Sequence, residues 1–167
     1  MSPQDVSCAR VSALAEMQIG ILEKDEAGIR AFQSQYGYPA ARKPTLYIDD
    51  ANVQVLGRFA DSRKCGLAVR KCTDYQIFFS ALGHLSHTVL REIAKSAGVH
   101  IYAENGVFTY IDDTVLGVYN TGAEETTVFL REDGVYAELF SGKQYRTQDK
   151  KIVLPTGESP AQMLLLK

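Results

Sequence analysis

From Val99 to the C-terminus the chain is a series of short apolar runs, and this feature limits the fold more than any other. The runs recur about every 8 to 12 residues and are rich in β-branched and aromatic side chains, which is typical of an antiparallel sheet or sandwich. In "ETTVFLRE" the side chains alternate between two faces. We therefore predict an all-β part, with no helix longer than one turn after Glu104. The connections carry glycine, at Asn105-Gly106, Thr121-Gly122, Asp133-Gly134, Ser141-Gly142 and Thr156-Gly157.

The stretch "FFSALGHLSHTVLREIAKSAGVHIYAENG", residues 78–106, predicts a strand–helix–strand unit. Ser86 is a suitable N-cap because its hydroxyl can accept a hydrogen bond from an exposed backbone N–H. Gly98 lies where a glycine that ends a helix is expected. The preceding run, "YQIFFSAL", is apolar on both faces, which predicts a strand buried between two layers. The apolar stripe of the helix consists of Val89, Leu90, Ile93, Ala94 and Ala97.

The N-terminal part is predicted to begin with helix. Over residues 3–35 apolar side chains recur at spacings near three and four, at Val6, Leu14, Met17, Ile21 and Leu22. Gly20 weakens the centre, so we expect one interrupted helix, or a helix followed by a second, short one. "QYGYPAARKP" is predicted to be a loop, and "TLYIDD", "VQVLGRFA" and "CGLAVRK" to be strands. The expected architecture is a partial α/β layer over residues 1–103, followed by a small antiparallel β domain over residues 104–167.

Composition indicates an ordinary globular protein. The chain has 167 residues, 46% of them hydrophobic and 23% charged, with a formal net charge of -2. Because the charge is near neutral and dispersed, the sequence does not predict a basic surface that would bind nucleic acid or an anionic membrane. No run approaches the roughly 20 apolar residues that a membrane helix needs. The three cysteines form an odd and sparse set that indicates reduced thiols, and with no secretory signal evident they predict a cytoplasmic protein.

Several motifs follow one another along the chain: Asp49-Asp50, Leu56-Gly57-Arg58-Phe59, Gly66-Leu67-Ala68-Val69, Leu90-Arg91-Glu92-Ile93-Ala94 and Ala97-Gly98-Val99-His100-Ile101-Tyr102. In this order they resemble the end of the glutamine-amidotransferase-like domain attached to some glycoside hydrolases, called the trimerisation domain in family 42 β-galactosidases. "AELFSGKQYRTQDKKIVLPTGESPAQMLLL" resembles the small β domain that follows it there. The resemblance covers about residues 45–167. It implies a flavodoxin-like α/β layer, with any catalytic carboxylates on a barrel domain that this chain lacks.

The cysteines, carboxylates and histidines are the candidate catalytic groups of this chain. An amidotransferase-type cysteine needs small residues around a strand-to-helix elbow, but neither Cys65 nor Cys72 has a glycine two residues before it. Adjacent carboxylates such as Asp49-Asp50 and Asp112-Asp113 point apart on a strand, so they do not form the pair that glycoside hydrolysis requires. With three histidines and no glycine-rich phosphate loop, the sequence predicts neither a metal site nor a cofactor.

One candidate ligand cleft lies around His84. Gly83 is expected to let the backbone turn off the buried strand, which places His84 at the carboxyl end of a sheet, where open α/β folds bind ligands. Asp50 and Tyr75 complete the candidate site, with carbohydrate as the candidate ligand.

The leading hypothesis is a non-catalytic oligomerisation or accessory module of a glycoside-hydrolase system. The alternative is a small hydrolase or carbohydrate-binding domain that uses the cleft near His84. Because one helix covers only one face of "YQIFFSAL", we also expect a homo-oligomer, dimer or trimer, or a larger multidomain chain.

Overall fold

The structure is a computed structural model that describes residues 7–104, 106–120, 122, 124–156 and 161–165. Its internal contacts divide the chain into two compact units, the first ending at Ala97 and the second beginning at Gly98. Within the described ranges, no helix is long and apolar enough to cross a membrane. Some residues named in the helix and turn predictions lie outside these ranges: Val6, Asn105, Thr121 and Gly157.

The first unit is built on one antiparallel sheet. Its elements are α1 (Cys8–Ala15), β1 (Ile19–Ile21), β2 (Gly28–Ala31), β3 (Ser34–Gly37), β4 (Leu46–Ile48), β5 (Gln54–Phe59), β6 (Cys65–Lys71), β7 (Gln76–Ser80) and α2 (His87–Ser96). Six of the seven strands lie in the order β1-β4-β6-β5-β2-β3, and the seventh, β7, pairs with β6. All of these pairs are antiparallel. The predicted flavodoxin-like layer, which requires parallel strands joined by helical crossovers, is therefore not what the first unit shows.

The helix predicted over residues 3–35 is wrong beyond its first turns. Glu16 ends α1 with a left-handed conformation, φ 51°, and three short strands follow. The turn between β2 and β3 places Phe32 and Gln33 at φ 49° and 61°, as in the tight hairpins that usually carry Asn-Gly. Phe32 and Gln33 are not residue types that favour such a turn, so the sequence does not predict the hairpin. The predicted loop "QYGYPAARKP" is also partly wrong, because its first residues belong to β3.

The helix α2 is confirmed in place and capping. The Ser86 hydroxyl accepts a hydrogen bond from the Val89 amide at 3.3 Å, and Gly98 follows the helix with a left-handed φ of 76°. Val89 is fully buried in the main core of this unit, whereas Leu90 is 51% exposed. The apolar stripe is thus narrower than predicted.

The prediction that "YQIFFSAL" is buried between two layers is wrong. Within it, β7 pairs with β6 alone among the described strands, and residues 77–80 are only half-buried. The central position belongs to β6, where Leu67 and Ala68 are fully buried. An apolar run of this length does not distinguish a central strand from a partly covered edge strand.

The second unit is all-β in its described residues, as predicted. Its elements are β8 (Phe108–Ile111), β9 (Val115–Tyr119), β10 (Glu125–Phe129), β11 (Val135–Glu138), β12 (Gln144–Arg146), β13 (Lys151–Pro155) and β14 (Ala161–Leu165). Five strands form a sheet in the order β12-β11-β14-β9-β8, and β10 pairs with β13 in a second sheet. The run "GVHIYAE" is not a strand and contributes only an isolated bridge from Ala103 to Val128, while β12 was not predicted.

A core between the two sheets holds this unit together. The predicted alternation of "ETTVFLRE" is confirmed, because Thr126, Val128 and Leu130 are all buried. Val128 and Leu130 meet side chains from the inner face of the five-stranded sheet, including Leu116 and Val118 of β9. Since side chains alternate along a strand, Tyr119 and its outward neighbours are left on the opposite face of that sheet.

Candidate functional site

Asp50 lies in the turn after β4, where its carboxylate is held by several donors. It accepts hydrogen bonds from the amides of Asn52 at 2.8 Å and Gln18 at 3.1 Å, and it pairs with the Arg70 guanidinium at 3.4 Å. Its side chain is only 5% exposed. The hydrogen bond from the Asn52 amide, supported by that from Gln18 and the charge of Arg70, lowers the pKa of Asp50 despite its burial.

Asp50 and Tyr75 belong to one hydrogen-bonded network, although neither contacts the other directly in the described bonds. Arg70 also donates to the carbonyl oxygen of Glu16 at 2.6 Å. The Glu16 carboxylate accepts from the Tyr75 hydroxyl at 2.8 Å and from the Cys72 thiol at 3.7 Å. The hydrogen bond to Glu16 is the main reason that the pKa of Tyr75 is raised to about 12. This network joins the end of α1 to β6 and to the turn between β6 and β7, which is a structural role.

His84 lies apart from this network. Tyr75 precedes β7 and His84 follows it, and a strand of five residues spans roughly 16 Å. The His84 ring instead packs edge-on against Tyr38, with 5.0 Å between ring centroids. The Arg42 guanidinium also packs against Tyr38, 4.6 Å from the centroid of the tyrosine ring. The structure therefore does not bring the three residues of the predicted cleft together.

The expected role of Gly83 also changes. The left-handed residue at the end of β7 is His84, with φ 55°, rather than Gly83. A methyl group added at Gly83 would lie 2.7 Å from the Tyr38 hydroxyl. Gly83 thus permits the close approach of Tyr38. The residue that adopts the left-handed turn conformation is His84.

Cysteines and histidines do not assemble a reactive centre in the described part of the chain. Cys65 is buried in β6, and burial raises the pKa of its thiol, which disfavours the reactive thiolate. His100 lies 3.0 Å from the carbonyl oxygen of Phe129 through Nε2. The described residues contain no group of three or more histidine, cysteine or acidic side chains able to hold a metal ion.

A cleft of about 450 Å³ in the second unit was not predicted. One wall is the half-buried ring of Tyr102, which packs edge-on against His100 at 4.4 Å between centroids. Arg131 lies 5.8 Å from the centre of the same ring, and Asp113 and Glu132 are exposed along the rim. The cleft residues are Tyr102, Ile111, Asp112, Asp113, Leu130, Arg131, Glu132 and Tyr136.

Two residues of this cleft hold its loops in place. Asp112 accepts hydrogen bonds from the amides of Thr114 at 2.7 Å and Val115 at 2.8 Å. These bonds lower the pKa of its carboxyl. The Tyr136 hydroxyl donates to the Glu132 carbonyl oxygen at 2.7 Å. The groups left to meet a ligand are therefore an aromatic ring, a guanidinium and two carboxylates. The only signal for this site in the sequence was the turn at Asp112-Asp113.

The fold is that of a segment of β-galactosidases. The β-galactosidase of Bacillus circulans sp. alkalophilus superposes on 89% of this chain with a TM-score of 0.53 and 19% identity. Gan42B, a GH42 β-galactosidase from G. stearothermophilus, and the β-galactosidase of Rahnella sp. R3 each superpose on 93%, with TM-scores of 0.52 and 14% identity. The chain spans about a quarter of these enzymes, 24% of each.

The sequence comparison points to glycoside hydrolases as well. The amylopullulanase of Thermoanaerobacter thermohydrosulfuricus is 27% identical over 152 aligned residues, which cover 78% of this chain and 10% of the enzyme. No protein-family model matches the chain. Together the comparisons associate the chain with segments of glycoside hydrolases.

Proposed function

We propose that this chain is a non-catalytic assembly or accessory module of a glycoside-hydrolase system. The observation that carries the proposal is the coverage of the structural match. Between 89% and 93% of this chain superposes on 24% of each β-galactosidase, so the chain shares its fold with one part of a larger enzyme. The amidotransferase-like trimerisation domain is not part of the proposal, because the sheet of the first unit is antiparallel.

The chemistry of the described residues supports a non-catalytic role. Glycoside hydrolysis usually needs two carboxylates about 5 to 9.5 Å apart on either side of the sugar. Asp50 is held by backbone amides and Arg70, and Asp112 is engaged in its own turn. Asp113 and Glu132 remain exposed beside the Tyr102 cleft, so turnover of the purified chain decides whether these two carboxylates act as a pair. The buried Cys65 is not placed to act as a nucleophile.

The reading frame on both sides of the coding sequence tests the glycoside-hydrolase association. We expect a glycoside-hydrolase catalytic domain in the same frame or in an adjacent gene. A native chain with no glycoside hydrolase encoded beside it would overturn the accessory role and favour a protein that acts alone.

The Tyr102 cleft supports a second candidate function, carbohydrate binding. An aromatic face can pack against the C–H groups of a sugar ring, and charged rim groups such as Arg131 and Glu132 can bond its hydroxyls. The volume, about 450 Å³, is within the range of small-molecule sites. This differs from the predicted cleft near His84, whose partners Asp50 and Tyr75 lie elsewhere.

Titration with galacto-oligosaccharides and with malto-oligosaccharides, followed by calorimetry, tests this second candidate. We expect Tyr102→Ala to weaken binding at least tenfold and Val153→Ala, a variant of an exposed apolar residue in the same unit, to leave it unchanged. Loss of binding in His84→Ala alone would move the site to the first unit. Absence of binding by the unmodified chain would remove carbohydrate as the ligand.

A further inference from the structure

Four exposed aromatic rings lie on the outer face of the five-stranded sheet, and we call Phe108, Tyr110, Tyr119 and Phe140 the aromatic face. Their exposed fractions are 64%, 74%, 44% and 68%. Phe108 and Tyr110 alternate along β8 and so share one side. Phe108 lies opposite Tyr119 in β9, with 6.4 Å between their ring centroids.

The aromatic face surrounds a depression of about 500 Å³. Two small residues, Gly117 and Ala161, belong to its lining. Gly117 pairs with Tyr110 and Ala161 pairs with Tyr119, so each leaves space beside a projecting ring. Phe140, in the turn after β11, completes the lining. A surface that carries both projecting rings and a depression of this size can pack against a copy of itself.

The composition of the aromatic face favours a protein partner over a sugar. Among the residues that the structure describes, those around the depression carry no charge; they are Phe108, Tyr110, Gly117, Val118, Tyr119, Phe140, Ala161 and Gln162. Sugar sites depend on polar groups placed to bond hydroxyls, which the Tyr102 cleft has and this face largely lacks. An uncharged face also brings no like charges together when two copies meet.

The exposed area is large enough for a dimer. Fully exposed aromatic side chains each offer roughly 150–250 Å². At the exposures given above, the four rings contribute on the order of 500 Å² from each copy, or about 1,000 Å² in total, which reaches the threshold for a specific interface. A patch of this size matches the largest apolar patch of a typical monomer, which often marks an interaction site.

We infer that the aromatic face is the interface of a twofold homodimer, in which the outer faces of two five-stranded sheets pack against each other. Sheets packed this way lie about 10 Å apart with interdigitated side chains. The rings of one copy then enter the depression of the other, as self-complementary interfaces require. This inference develops the assembly part of the proposed function. It also replaces the expectation that self-association covers "YQIFFSAL", because residues 77–80 are already half-buried within their own chain.

Sedimentation velocity on the full chain from 5 to 100 µM tests the inference. We expect the mass to approach twice the 18.4 kDa of one chain at the higher concentrations. Tyr110→Lys should raise the dimer dissociation constant at least tenfold, because it places a charge in the apolar centre of the interface. Thr109→Lys is the matched control, since the neighbouring side chain points to the other side of β8 and its charge would oppose only edge-to-edge pairing.

Three outcomes would overturn the inference. One is a monomer at all concentrations. Another is a dimer that Thr109→Lys disrupts as strongly as Tyr110→Lys, which would indicate edge-to-edge pairing of β8. The third is a monomer whose oligosaccharide binding disappears in Tyr110→Lys, which would make the aromatic face a sugar platform. None of these outcomes affects the reading-frame test, so failure of the dimer and failure of the glycoside-hydrolase association are distinguishable.

Discussion

Glu26 provides a quantitative test of the antiparallel first unit. Its buried carboxylate accepts hydrogen bonds from two consecutive backbone amides in the turn between β5 and β6, Asp61 at 2.8 Å and Ser62 at 2.9 Å. Hydrogen bonds to a charged group contribute roughly 1.5–3 kcal/mol each. Glu26→Gln removes the charge and one acceptor oxygen but keeps the shape. We therefore expect the free energy of unfolding of the first unit to fall by about 2–3 kcal/mol at pH 7.

The effect of Glu26→Gln should depend on pH. Burial by itself raises the pKa of Glu26, but the hydrogen bonds from Ser62 and Asp61, helped by the charge of Lys24, outweigh it and hold the pKa below the ordinary value of 4.5. A lowered folded-state pKa contributes stability that is complete above the unfolded-state value and is lost as the pH falls through the folded-state value. The difference between the two proteins should be full above about pH 4.5 and shrink below it.

Urea unfolding read by hydrogen exchange in peptides of β5 and β6 isolates the first unit from the second. Glu23→Gln is the matched control, because Glu23 has the same charge three residues earlier and is exposed. It should change the free energy of unfolding by less than about 0.5 kcal/mol. Equal losses in both variants, or a loss in Glu26→Gln that does not change between pH 7 and pH 3, would refute the hydrogen-bonded role of Glu26.

Three further predictions concern the first unit. Val89→Ala should cost about 2 kcal/mol of unfolding free energy, because two methyl groups leave a fully buried site, while Leu90→Ala should cost less than half as much, both measured by urea unfolding. Gly66→Ala should destabilise by about 1–3 kcal/mol in the same assay, because the added carbon would lie 2.6 Å from Ile29; an unchanged midpoint would contradict the packing. Cys65 should alkylate more slowly than the other two cysteines under native conditions, by mass spectrometry, because burial raises its pKa.

The strands and helix with local signals were the predictable part of the fold. Ser86 and Gly98 mark both ends of α2, and their capping geometry follows from their own side chains. Glycine likewise marks the turns at Gly106 and Gly142, where φ is 89° and 68°. The hairpin at Phe32 and Gln33 has no such signal, because tertiary packing holds ordinary residues in left-handed conformations there.

The candidate site was less predictable, because its geometry depends on contacts distant in sequence. Among the described residues, Asp50 and Tyr75 are linked through Glu16 and Arg70, and Glu16 lay within the segment predicted as helix. His84 is distant from Tyr75 because the two residues lie at opposite ends of β7. The sequence placed them in one cleft because no local pattern shows how the strand separates them. The Tyr102 cleft likewise requires two distant contacts to be known before its residues come together: the pairing of β8 with β9 and the bridge between Ala103 and Val128 of β10.

The central claim, a non-catalytic module, is tested most directly by turnover of the purified chain. At high protein concentration it is incubated with aryl β-galactosides, aryl α-glucosides and glutamine, beside a variant carrying Cys65→Ala, Cys72→Ala and His84→Ala. We predict that product release by the unmodified chain equals that of the variant and of the buffer. Saturable turnover that His84→Ala alone abolishes would contradict the claim and establish a catalytic site in the first unit.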